Sequence, residues 1–305
     1  MSIRVFPSLS VIETKPMNTR SQLANTPATM HSWAGAQQNR LCGDSWGDPD
    51  SPAVLLLHGG GQTRHSWQRT ARHLAQAGFY AVTFDARGHG DSEWVANGDY
   101  GEAAMAQDLA CVVRAIGATR PVLIGASLGG ITSLVALANK MVDASALILA
   151  DVAHVSTTEG FERVRVFMTR HANGFASLDE AAAAISSYRG GSQPRGNPRG
   201  LAKNLRQGSD GRLYWHWDPR FLEGRKEDLA ARNQRLAQYV RQLSVPTLLV
   251  RGARSDVVTD EAVREFLALC PHASHVDVAG AGHMLTGDDN DVFGQMAVSF
   301  IRQAK

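Results

Sequence analysis

Residues 121–130 read P-V-L-I-G-A-S-L-G-G, and within them Gly125, Ala126, Ser127, Leu128 and Gly129 make a G-x-S-x-G pattern. The chemistry this pattern serves is nucleophilic attack by a serine hydroxyl. The serine has to sit in a tight turn between strand and helix, where side chains two positions before and after it would strike backbone. Glycine at both places removes the collisions. A hydroxyl held there projects from the end of a sheet, and the next amide, on Leu128, lies at a helix N-terminus as half of an oxyanion hole. A second glycine cluster, His58-Gly59-Gly60-Gly61-Gln62, follows the apolar run at 53–57. Backbone of that kind can approach a ligand closely and turn its amides inward, completing the hole. Neither a G-x-G-x-x-G spacing nor a Walker lysine follows, which counts against a phosphate cradle.

Serine is a weak nucleophile at neutral pH, so the elbow calls for a histidine base and a carboxylate to orient it, in the order Ser, Asp or Glu, His. His283 is the best base, delivered by the Gly280-Ala281-Gly282 turn after a short strand at 275–279. Its competitors are His272, after a proline at a helix end, and His275, within or before the strand; both read as surface or packing residues. Asp256 is the best acid, in a loop just beyond the apolar strand at 246–250. Asp151, closing the strand at 146–150, is its rival. Asp260 is a weaker one, because an N-cap explains it without catalysis.

Positioning these groups requires strands at 53–57, 122–124, 146–150, 246–250 and 275–279, alternating with helices such as the one at 131–139. The stretch 152–244 is too long for a connection and reads as a cap. Helical patterns run through 159–169, 177–188, 199–207 and 226–243, so a mostly helical lid over the site follows, excluding water and shaping the pocket. Tyr214, Trp215, His216 and Trp217 cluster inside it and either face substrate or anchor the cap. Trp67, shortly after the glycine turn, carries the same two readings. Trp67, Trp215, Trp217 and Met284 are the candidate substrate contacts, with Met168 and Met284 as pocket or core filler.

With elbow, glycine turn, acid and histidine in this order, the chain resembles the α/β-hydrolase superfamily over most of residues 41–305. Phe84-Asp85-Ala86-Arg87-Gly88-His89-Gly90-Asp91-Ser92 adds to the likeness, matching a D-x-R-G-x-G-x-S loop that is largely structural in the family. Asp85 and Arg87 are expected to pair and fix the loop, and His89 to be a loop residue rather than a second base. H-G-G-G from His58 is shared with lipases similar to hormone-sensitive lipase, but Ala126 and Leu128 depart from their elbow. The better likeness is to the group of cofactor-free haloperoxidases, esterases, C–C bond hydrolases and epoxide hydrolases, which implies Gly60 and Leu128 as the oxyanion donors. Ser127 argues against epoxide hydrolases and haloalkane dehalogenases, which place aspartate at the elbow, and against dienelactone-type hydrolases, which place cysteine.

The resemblance implies an α/β-hydrolase fold, a mostly parallel sheet flanked by helices with an inserted helical cap. The expected division is a flexible arm at 1–30, a core at 31–151 and 245–305, and the cap at 152–244. The 305 residues suffice for a large core, and a formal charge of +2 predicts no strong field for nucleic acid or membrane. Arg189, Arg195 and Arg199 cluster among glycines and prolines, as in a solvated loop. Cys42, Cys111 and Cys270 are odd in number and irregularly spaced, indicating neither a disulfide framework nor a metal site. That cysteine usage makes the cytoplasm the default location, and the first thirty residues lack the marks of a secretory signal. The expected function is a serine hydrolase for an ester or lactone of a small to medium, mainly apolar substrate. It proceeds through an acyl-enzyme on Ser127, Asp256 and His283, without cofactor or metal and compatibly with a homodimer. A C–C bond hydrolase or perhydrolase would use the same triad. A non-catalytic ligand receptor is disfavoured because all three members stand in suitable places.

Overall fold

The computed structural model of the protein describes residues 27–155, 157–188, 198–223, 228–255, 257–279 and 291–304. The hairpin β1 (Thr29–Ala34) and β2 (Arg40–Trp46) is followed by β3 (Ala53–Leu57), α1 (Gln68–Gln76), β4 (Tyr80–Phe84), α2 (Glu102–Ala115), β5 (Val122–Ala126), α3 (Leu128–Ala138) and β6 (Ala146–Ala150). Next come α4 (Thr158–Arg170), α5 (Leu178–Tyr188), the short strands β7 (Leu205–Gln207) and β8 (Leu213–Trp215), and α6 (Leu229–Arg241). The chain then returns to the sheet with β9 (Thr247–Gly252), α7 (Asp260–Leu269), β10 (Ser274–Val278) and α8 (Asp291–Gln303).

The main sheet runs β1-β2-β4-β3-β5-β6-β9-β10. It is parallel from β4 to β10, and β2 pairs antiparallel with both β1 and β4. The central strands are buried on both faces, which is why they read as continuous apolar runs rather than as alternation. Leu55, Leu57, Leu123, Leu147 and Leu249 point to one face, against α2, α3, α6 and α7 residues such as Leu109, Leu134, Leu236 and Phe266. Val54, Leu56, Ile124, Ile148 and Leu248 point to the other, against Leu74 of α1 and Phe293 and Ile301 of α8.

This topology fixes where a site can form. From β3 the chain goes to β4 on one side, and the strand on the other side is β5, so the order reverses between β3 and β5. A crevice opens at the carboxyl ends of strands flanking such a switch point. Leu57 pairs with Gly125 there, so the glycine turn after β3 and the elbow after β5 leave the sheet side by side.

Two expectations about the insertion are changed by packing. The helix at 226–243, read as part of the cap, is α6, and its Leu236 and Val240 are fully buried in the sheet's own helical layer. The segment from 152 to 223 also holds a small sheet, β7 paired antiparallel with β8, and β7 takes the end of the stretch 199–207 expected to be helical. Phe175, Ala181 and Leu205 form its private core. No helix among the described residues is long and apolar enough to cross a membrane.

Candidate active site

Ser127 sits between β5 and α3 with φ 44° and ψ −109°. Such a backbone costs a non-glycine residue on the order of 1–3 kcal/mol and persists only where its surroundings dictate it. Here they do. Ser127 N–H donates to Ala150 O at 3.3 Å, and its carbonyl accepts from Ile131 N–H at 3.0 Å. A Cβ on Gly125 would lie 2.4 Å from the backbone of Gly129 and Gly130, and one on Gly129 would lie 2.3 Å from Leu57 O. Both glycines of the motif are required by close approach of backbone, as the sequence pattern implies.

The turn 58–62 leans on this elbow. Gly129 N–H donates to His58 O at 3.1 Å. A Cβ on Gly59 would meet Ser127 Cβ at 3.6 Å, and one on Gly60 would meet Leu128 Cβ at 4.0 Å. Gly59 N–H donates to Gln62 Oε1 at 3.0 Å, and Gly61 N–H to His89 Nε2 at 3.2 Å. Between them, Gly60 N–H has no hydrogen-bond partner among the described residues, and neither does Leu128 N–H. Both amides belong to residues that flank Ser127, one in the glycine turn and one at the start of α3.

His58 aims the first of these amides. Its ring is buried, donates from Nδ1 to Gly59 O at 2.8 Å and accepts at Nε2 from Ala86 N–H at 2.9 Å. Because a trans peptide is planar, holding Gly59 C=O toward the histidine turns Gly60 N–H the opposite way. Burial lowers the His58 pKa, which keeps the imidazole neutral and able to accept from Ala86.

The loop 85–92 supports this arrangement with buried charge. Arg64 donates from its backbone to Asp85 Oδ1 at 2.7 Å, and its guanidinium pairs with Asp85, with Asp91 at 2.7 Å and with Asp44 at 3.0 Å. Arg87 makes a two-pronged pair with Asp108 of α2, 2.7 Å for each prong. The expected pairing of Asp85 with Arg87 is therefore corrected: each reaches a partner from another element. Arg64 and Asp108 lie 21 residues from their partners in sequence, so no local pattern announces them.

Asp256, His283 and Met284 lie outside the described residues. Asp151, the rival acid, is described. It is buried, has φ 48°, and its carboxylate accepts from Gly252 N–H at 3.0 Å and Ser255 Oγ–H at 2.6 Å. These bonds tie the last residue of β9 and the loop that follows it to Asp151. The N-cap of α7 is Thr259, whose side chain accepts from Ala262 N–H, while Asp260 pairs with Arg251 at 2.5 Å. His272 Nε2 lies 3.1 Å from Val245 O, and His275 lies within β10.

The aromatic candidates separate in space. Trp67 is 1% exposed and packs on Phe293 at 5.4 Å, so it belongs to the core on the α1/α8 side of the sheet and is removed from the substrate contacts. Trp217 lies over the glycine turn, its Nε1 3.8 Å from where a Gly61 Cβ would be. Trp215 packs edge-on against Phe175 at 5.0 Å, joining the cap's private core to the cluster over the site. Phe221, a residue without a recognisable sequence signal, comes closest to Gly60, at 3.6 Å from its Cβ position. Met168 approaches Gly61 at 3.2 Å by the same measure. Leu128, Met168, Trp217 and Phe221 form one apolar cluster.

Comparison with known proteins agrees with this fold. A family model described as the alpha/beta hydrolase fold matches residues 52–289. An esterase of Mycobacterium tuberculosis is 30% identical over 254 residues, 80% of this chain and 80% of its own. The 3-hydroxybutyrate-oligomer hydrolase of Cupriavidus necator is 28% identical over 274 residues, 86% of this chain and 90% of its own. A solved alpha/beta hydrolase from Novosphingobium aromaticivorans shares the fold with a TM-score of 0.77 at 23% identity, over 91% of this chain and 99% of that one. From its elbow, its sheet order and the match along most of its length, the chain belongs to the α/β-hydrolase fold family.

Proposed function

We propose that the protein is an ester-acting serine hydrolase with Ser127 as nucleophile, Gly60 and Leu128 as oxyanion donors, His283 as base and Asp256 as the acid that orients it. The observation that carries this reading is the strained Ser127 backbone beside two amides with no partner among the described residues. His283 takes the Ser127 proton as the oxygen attacks the acyl carbon. The oxyanion accepts from Gly60 and Leu128, and collapse expels the alcohol, protonated by His283. Water, deprotonated by the same histidine, then attacks the acyl-enzyme, releasing acid and restoring Ser127. Asp256 stabilises the imidazolium formed in each half.

The substrate class is an ester or lactone of small to medium size. Met168, Trp217 and Phe221 over the glycine turn favour an apolar acyl or alcohol group. The names of the relatives, an esterase and a hydrolase of 3-hydroxybutyrate oligomers, support ester cleavage. The test is hydrolysis of p-nitrophenyl esters of increasing chain length, with several lactones, by wild type and Ser127→Ala. Multiple turnover lost in the variant is expected, with an optimum at short to medium acyl chains. Undiminished turnover by Ser127→Ala would remove the nucleophile assignment.

A further inference from the structure

His89 is an imidazole that the proposed chemistry does not use, yet it is fully buried at the rim of the site. Its Nε2 accepts from Gly61 N–H at 3.2 Å, and its Nδ1 lies 3.2 Å from Arg87 O. That pair of contacts requires the neutral tautomer with the proton on Nδ1. His58 stands 5.2 Å away, ring to ring.

Gly60 lies between two peptide planes. The one before it is held by His58 through Gly59 O, and the one after it by His89 through Gly61 N–H. Glycine has the widest backbone freedom of any residue, and the Gln62 N–H to Gly59 O bond at 3.1 Å that closes this turn leaves the peptide between Gly60 and Gly61 unheld. An oxyanion donor acts by being in place before charge develops, so freedom in that turn is paid as reorganisation at the transition state. One plane fixed by His58 leaves rotation about the other; His89 removes it.

His89 also meets the cap. Its backbone bridges to Trp217, Gly90 N–H donates to His216 O at 2.7 Å, and Asp218 N–H donates to Gly88 O at 2.8 Å. The Phe221 ring meets the His89 ring edge-on at 4.9 Å. One side chain therefore touches the segment that covers the site and the turn that stabilises its oxyanion.

We propose that His89 is a positioning residue, holding Gly60 N–H in the oxyanion geometry through Gly61 and tying that geometry to the seat of the cap. This rests on Gly60 being an oxyanion donor. Asparagine at 89 keeps a donor near Nδ1 and loses the acceptor for Gly61, whereas glutamine places an acceptor near Nε2. The full-length His89→Asn and His89→Gln variants are to be compared with wild type for kcat, KM, melting temperature and inhibition by an alkylboronic acid, whose tetrahedral adduct on serine fills the hole.

The expectation for His89→Asn is a kcat lower by about 10- to 100-fold, somewhat less than removal of a whole oxyanion donor. KM stays nearly constant, and boronate affinity weakens by the same factor as kcat. His89→Gln recovers most of both. Wild-type kcat and boronate affinity in His89→Asn would overturn the proposal, as would equal losses in both variants that track the melting temperature. Should His89→Asn not fold, imidazole 15N spectra of wild type decide, with His89→Gln giving the assignment. The His89 Nε2 signal must move when boronate fills the hole, and a signal that does not move removes the proposal. The nucleophile assignment is separated by Ser127→Ala: lost turnover there with unchanged His89 variants leaves the hydrolase reading standing and removes only this one.

Discussion

The rim of the core and the segment 157–223 that packs on it differ in the share of buried charge and of aromatic packing that holds them. In the rim, residues 58–64 and 85–92, backbone groups are fixed by buried charged or polar side chains: Asp85 holds Arg64 N–H and Asp91 N–H, and His58 holds Ala86 N–H. In the segment 157–223, stacked and edge-on rings, Phe167 on Tyr188 at 4.3 Å and Phe175 on Trp215 at 5.0 Å, join hydrogen bonds such as Arg212 Nε–H to Asn173 O at 2.8 Å. The two meet through a few directed bonds, among them Thr63 Oγ1–H to Asn204 Oδ1 at 2.8 Å and Tyr100 O–H to Asp218 Oδ2 at 2.5 Å. Directed bonds suit a part whose atoms must not move by a few tenths of an ångström. Ring packing tolerates repacking better.

The largest expected effects test the proposed triad. His283→Ala should lower kcat by several powers of ten in a folded protein, on the order of the loss seen when a triad member is removed. Asp256→Asn should cost about 10⁴-fold, and Asp151→Asn less, because the Asp151 carboxylate holds Gly252 and Ser255. Steady-state kinetics on one activated ester orders the three variants. A greater loss from Asp151→Asn would move the acid to the end of β6.

Stability gives the next contrast. Arg87→Met strands the Asp108 carboxylate, which is 2% exposed, and should cost about 3–5 kcal/mol in chemical denaturation. Val166→Ala on the outer face of α4, with 44% of Val166 exposed, should stay within about 0.5 kcal/mol. Comparable losses would show that cap and rim unfold as one tightly coupled unit.

Trp217→Ala sharpens the comparison where the two regions touch. It should lower kcat/KM for longer acyl chains by about tenfold, the worth of a partial apolar contact, and leave the shortest ester within about threefold. A uniform loss across chain lengths would mean that Trp217 seats the cap without touching substrate.

The smallest effect is that of pH on stability. Burial lowers the pKa of His58, His65 and His216 in the folded protein. Below about pH 6.5 the unfolded chain therefore binds protons that the folded one refuses, so stability is fully present above that pH and falls as acid is added. Melting temperatures should change little from pH 7.5 to about 6.5 and decline from there to pH 5.5. A flat or rising series would contradict the neutral, buried state of these rings.

The amino-acid sequence determined the parts of the site that are local. G-x-S-x-G specifies its turn because Gly125 and Gly129 are required within a few residues of Ser127, and the apolar runs name the central strands because both their faces are buried. Tertiary structure alone decided the partners. Asp85 and Arg87 are neighbours in the chain, yet Arg64 and Asp108 claim them, since desolvated charges pair with whatever the fold brings to the same buried point. Trp67 and Trp217 are equally aromatic in the sequence, but one faces α8 and the other the glycine turn. Helix α6 reads as cap by position and belongs to the core by contact. Local spacing fixes a turn through sterics between near residues, whereas burial and pairing depend on surfaces that meet only when the sheet has formed.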